Sequence, residues 1–157
     1  MEHMDKLHPK FKGLAKAVLS HVAHLCELSG CSWYIARSWS SPERQQELYE
    51  KGRVNKGGIW VPEYVSRKGI VTNAQSWETP HCVTIGENPA SCAIDIALVQ
   101  TLPSGARAWL SDDDLRWGIL GTAAALAGHE QLTWGGMWTS LRDFSHLELK
   151  DWEKYAA

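Results

Sequence analysis

Ala93-Ile94-Asp95-Ile96-Ala97-Leu98 is the stretch on which the fold turns. Successive side chains of an extended strand point to opposite faces. Ile94, Ile96 and Leu98 therefore share one face, which must meet a core, and Asp95 shares the other with Ala93 and Ala97. A carboxylate between two alanines has open space beside it, a setting for a metal ion or another ligand. Taken alone, the segment fits equally well a solvated aspartate on an exposed strand face.

The C-terminal segment repeats the pattern. A strand is expected over 144–149, with His146 and Glu148 on one side and Leu147 and Leu149 on the other. Asp143 lies three residues before His146, in the approach to that strand. Between the two strands, Ser111 and the acidic run Asp112-Asp113-Asp114 predict a helix start, with Leu115, Ile119, Ala123 and Leu126 as its apolar stripe and Gly128 as its stop.

On the N-terminal side, Phe11, Leu14, Ala15, Val18, Leu19, Val22, Leu25 and Cys26 recur at three- and four-residue steps and predict an amphipathic helix that Gly30 ends. His21 and His24 read as surface positions of it. Ser32 to Ala36 reads as a strand. Ser41-Pro42-Glu43 opens a further helix that Gly52 ends. Residues 52–91 read as a long loop region with one short strand near Ile70-Val71-Thr72, and loops of that length are usually functional. The order of elements does not alternate as in a doubly wound sheet. It implies an α+β fold, a small antiparallel sheet with helices packed against one side.

The chain has 157 residues, 44% hydrophobic and 22% charged, which suits a single domain over 1–157 with little room for a second. A net charge of -2 argues against a general nucleic-acid partner. No signal peptide is visible, and no apolar run is long enough for a membrane anchor, so synthesis in the cytoplasm is expected, with release by another route if the protein acts outside. Cys26, Cys31, Cys82 and Cys92 lack the paired spacing of a structural zinc site and read as free thiols, with a Cys82–Cys92 bridge as the alternative. Nine tryptophans fill a core or line a groove for an extended substrate. A monomer is the default.

His81, in Thr79-Pro80-His81-Cys82, completes a set with Asp95 and His146. Two histidines and one carboxylate form a recurrent catalytic zinc set that leaves a position for water. Spacing in the sequence does not show that these three residues meet.

Several motifs together resemble the D-alanyl-D-alanine carboxypeptidase-like zinc peptidases, above all the phage L-alanyl-D-glutamate endopeptidases. They are Leu7-His8-Pro9, Arg37-Ser38, Pro42-Glu43-Arg44-Gln45, Leu48-Tyr49-Glu50-Lys51-Gly52-Arg53, Val71-Thr72-Asn73-Ala74 and Trp134-Gly135-Gly136-Met137-Trp138 with Asp143, His146 and Glu148. The resemblance runs from Leu7 nearly to the C-terminus and implies a Hedgehog/DD-peptidase-like fold. It implies Zn2+ on His81, Asp95 and His146, Asp143 as general base, and Arg37 holding the scissile carbonyl or a substrate carboxylate. Arg44 is the alternative arginine, because the spacing from Arg37 to Gln45 is longer than the family's. Glu148 orients a ligand or is a strand-end surface charge, and His8 is structural. The implied substrate is the peptide stem of peptidoglycan, cut between L-Ala and D-Glu as in an endolysin. The alternatives are a D,D-carboxypeptidase or dipeptidase, or a zinc-containing peptidoglycan-binding module without turnover. His81 and Asp95 stand fourteen residues apart where the family has seven, which implies an inserted loop over 83–90 at the edge of the substrate cleft.

Overall fold

The computed structural model describes residues 2–63, 72, 74–75, 78–128, 130–140 and 142–156. A helical turn, α1 (Glu2–Asp5), leads into the long helix α2 (Pro9–Ser29). His8 caps α2, its Nδ1 accepting from Lys10 N at 3.1 Å, and Gly30 ends it in the left-handed conformation at φ 65° that glycine adopts without cost. Phe11, Ala15, Val18, Val22 and Cys26 form its buried stripe, while His24 is exposed.

The main sheet contains β1 (Ser32–Arg37), β6 (Ala93–Thr101), β7 (Arg107–Trp109), β8 (Leu132–Trp134) and β9 (His146–Leu149). The path runs β1-β6-β9-β8, with β7 on β6, and every pairing is antiparallel. Helix α2 and α4 (Gly118–Gly128) pack against the face carrying Ile94, Ile96, Leu98 and Leu147, all fully buried. This is the expected α+β arrangement.

Three expectations change. The helix at 111–128 is a 3-10 turn, Leu115–Trp117, capped by Asp114 and followed by α4. Leu115 and Leu126 are 94% and 62% exposed, and the buried face is Ile119, Leu120, Ala123 and Ala124. The C-terminal strand begins at His146, with Asp143 to Ser145 in the turn before it. The long loop region contains two hairpins, β2 (Arg53–Lys56) with β3 (Ile59–Pro62), and β4 (Thr84–Ile85) with β5 (Asn88–Pro89). The strand expected near Ile70-Val71-Thr72 falls largely outside the described residues. The remaining helix, α3 (Pro42–Glu50), is capped by Ser41 as expected. All four cysteines are free, and no helix among the described residues is long and apolar enough to cross a membrane.

Candidate metal centre

Strands β1, β6 and β9 lie side by side, with Arg37 opposite Asp95 and Asp95 opposite His146. Three of the residues singled out in the sequence thus form one row on the sheet face away from the helices. Strict alternation along β1 would turn Arg37 to the core side with Ile35. A register shift between Ile35 and Arg37 inserts Ala36 and brings Arg37 round to Asp95. Asp95 is 7% exposed, so the solvated-aspartate reading is excluded.

His81 reaches the row from outside the sheet, on a 3-10 turn over Pro80–Cys82 that the Thr79 hydroxyl caps. Its Nε2 lies 3.2 Å from Asp95 Oδ1 and 3.3 Å from His146 Nδ1, and His146 Nδ1 lies 3.0 Å from Asp95 Oδ1. The outer nitrogens fix the two rings. His81 Nδ1 donates to the Ser38 carbonyl, and His146 Nε2 donates to Glu148 Oε2 at 3.0 Å. Each ring then aims its other nitrogen at the Asp95 oxygen. Glu148 is thereby tied to His146 rather than a free surface charge.

This donor set fits a metal. Ligands placed tetrahedrally at ~2.0–2.1 Å from zinc stand ~3.3 Å apart, the spacing found here. His81, Asp95 and His146 also form the one His/Cys/Asp/Glu group with metal-holding geometry among the described residues. The electrostatics agree. Burial would raise the Asp95 pKa, but the two histidines hold its carboxyl well below the usual carboxylate range. Burial keeps His81 lowered despite Asp95. Burial would lower His146 too, yet its hydrogen bonds to Asp95 and Glu148 outweigh that and push it up to about 9.

Asp95 Oδ2, the oxygen turned away from the histidines, accepts from Arg37 Nε at 2.6 Å. Arg37 Nη1 reaches Gln45 Oε1 at 3.4 Å, and Gln45 Nε2 donates to the Ala74 carbonyl at 2.9 Å. Gln45 is fully buried, a role not foreseen in the sequence; the available signal was an amide on the inward side of a short helix. Arg44 stands at the rim of the same cleft, paired with Glu47 at 2.7 Å, and makes no contact with Asp95.

Asp143 is half-buried in the turn before β9, where its Oδ1 accepts from Ser145 N at 3.2 Å and Ser145 Oγ at 2.8 Å. The Trp134-Gly135-Gly136-Met137-Trp138 block holds that turn. The Gly135 carbonyl accepts from Asp143 N at 3.2 Å, and Trp134 Nε1 donates to the Phe144 carbonyl at 2.9 Å. The Trp138 ring lies 5.1 Å from that of His146. A Cβ on Gly135 would fall 2.4 Å from the Asp143 carbonyl oxygen, so the close approach requires glycine.

Arg37, His81, Asp95, Asp143, His146 and Glu148 line one cleft of about 1110 Å³, with Trp39, Trp138 and Trp152 on its walls. Residues 83–90 do not line it; their short hairpin packs beside the N-terminal segment, where Ser91 N donates to the Lys6 carbonyl at 2.8 Å. His8 is not a ligand: it caps α2 and its ring stacks at 5.0 Å on Tyr155.

No family model matches the chain. It is 30% identical over 149 residues to CwlK, a peptidoglycan L-alanyl-D-glutamate endopeptidase of Bacillus subtilis, across 91% of this chain and 73% of CwlK. The crystal structure of the L-Ala D-Glu endopeptidase ChiX of Serratia marcescens superposes with a TM-score of 0.57, covering 99% of this chain and 89% of ChiX at 18% identity. That likeness shows a shared fold.

Proposed function

Because the chain belongs to the family of peptidoglycan L-alanyl-D-glutamate endopeptidases, we propose that it is a zinc-dependent hydrolase of peptidoglycan stems, cutting the amide between L-Ala and D-Glu. The observation that carries this reading is the convergence of His81 Nε2 and His146 Nδ1 on one oxygen of Asp95, within a cleft that also contains Asp143 and Arg37.

A zinc ion held by His81, Asp95 and His146 would supply Lewis acidity, polarising the scissile carbonyl and making water acidic enough to attack near neutral pH. Asp143 takes the proton of the attacking water and passes it to the leaving amine of D-Glu. Its Oδ1 is held by Ser145, which fixes the carboxylate for that exchange. Arg37 keeps further N–H groups beyond those given to Asp95 and Gln45, and these stabilise the negative charge that develops on the carbonyl oxygen. Glu148 holds His146 in the orientation and tautomer that a metal requires.

The test is digestion of purified peptidoglycan by the zinc-loaded protein, with products read by mass spectrometry and Asp143→Ala as control. New N-termini at D-Glu, lost with Asp143→Ala while zinc remains bound, are expected. Release of terminal D-alanine instead would reassign the chain as a carboxypeptidase. Full zinc occupancy without any cleavage would reassign it as a binding module.

A further inference from the structure

The sheet face that carries Arg37, Asp95 and His146 continues beyond them. Opposed residues on paired strands share a face. Tyr34, opposite Ala97, and Trp109, opposite Val99, therefore stand on this face, two and four residues along β6 from Asp95. At about 3.4 Å per residue, Trp109 lies about 14 Å along the strand from Asp95.

The two rings are 41% and 49% exposed, yet they are fixed. Trp109 Nε1 donates to the Tyr34 hydroxyl at 2.8 Å, and the rings meet edge to face with centroids 6.3 Å apart. Packing does not explain the pair, because the core neighbours on these strands are Trp33, Leu98 and Leu110. Around the rings the same face bears exposed polar groups: Ser32 opposite Val99, and Arg107 opposite Thr101. Rigid exposed aromatics fringed by hydroxyls and a guanidinium have the chemistry that takes a saccharide. The C–H face of a pyranose packs on a ring, and its hydroxyls bond the polar fringe.

The substrate explains why a sugar would lie here. In peptidoglycan the L-Ala of the stem is amide-bonded to the lactyl group of muramic acid, which links it to the sugar ring. An extended residue spans about 3.5 Å, so L-Ala and a lactyl group of similar length bring the glycan to about 7 Å from the scissile amide. The cleft is bordered on β1 by Ala36, two residues from Tyr34. We propose that Tyr34 and Trp109 form a saccharide subsite for the glycan strand bearing the scissile stem, an inference that rests on the stem-peptide reading above.

The test uses peptide-free glycan strands, prepared by stripping the stems with an amidase, titrated calorimetrically into the zinc-loaded protein. Binding is expected, weakened about tenfold in Trp109→Ala and in Tyr34→Ala. The same variants are then assayed on disaccharide-linked stem peptide and on free stem peptide. Their kcat/KM should fall several-fold on the first and stay at the wild-type value on the second, which also shows that they fold. No glycan binding by the wild type, or wild-type affinity in both variants, would overturn the subsite. Glycan binding that depends on Trp109, without cleavage of either peptide, would support the subsite and sink the hydrolase reading.

Discussion

Arg37 and Asp95 face each other across β1 and β6, and the guanidinium takes one carboxylate oxygen at 2.6 Å while the other stays with His81 and His146. The arginine thus orients a carboxylate of the candidate metal centre and also faces the cleft. Arg37→Lys keeps the charge but loses the planar fork that reaches Asp95 and Gln45 together. A fall in kcat/KM of about 100-fold is expected, as for a lost oxyanion donor. Steady-state kinetics on a stem peptide checks this, and wild-type kcat/KM in Arg37→Lys with a large loss in Arg44→Lys would transfer the role to Arg44.

Despite its burial, the hydrogen bonds to Asp95 and Glu148 push His146 up to about 9, against about 6.5 for an unfolded histidine. Its contribution to stability is therefore complete below about 6.5 and is lost as the pH rises through about 9. Asp95 works in the opposite direction: its lowered pKa gives stability above the ordinary carboxylate range that is lost on acidification. Zinc must displace the His146 proton, so affinity should rise about tenfold per pH unit up to about 9. Calorimetry in buffers of different ionisation enthalpy counts that proton, and none released at pH 7 would contradict the assignment.

Glu148 acts through His146. Glu148→Ala should weaken zinc binding about 10–100-fold, the usual cost of losing a partner behind a metal-bound histidine. Competition with a chromogenic chelator measures it, and unchanged affinity would return Glu148 to the status of a surface charge.

Gly135→Ala tests the turn beneath Asp143. The new methyl would meet backbone rather than a movable side chain, so the turn must shift. A loss of about 1–3 kcal/mol in stability is expected, with reduced activity as Asp143 moves. Chemical denaturation and peptide hydrolysis report the two effects, and a fully stable, fully active variant would show that the turn yields freely.

Two of the candidate ligands, Asp95 and His146, were legible because a carboxylate and a histidine are unusual side chains on alternating strands, whereas His81, in a loop, entered through the family resemblance. Their meeting was not, since 14 and 51 residues separate His81 and His146 from Asp95 and only the pairing of β6 with β9 closes the longer gap. The side of β1 on which Arg37 stands was hidden by an extra residue, Ala36, that alternation cannot foresee. The helix after the acidic run was misphased because Gly118–Gly128 is apolar on nearly every side, so its periodicity does not choose a face. Gln45 and Glu148 owe their roles to what they touch, which no single-residue pattern records.

The hairpin β4–β5 separates His81 from Asp95 in sequence without separating them in space. Ala90 N closes it onto the Val83 carbonyl at 2.9 Å, and its two-residue tip, Gly86-Glu87, is exposed and does not line the cleft. Chain length between the two residues is therefore decoupled from the geometry of the cluster they share with His146. The tip is a natural graft point, where a peptide tag, a reporter or a wall-targeting module can be spliced into the middle of the chain while the shoulders bearing His81 and Asp95 remain in register.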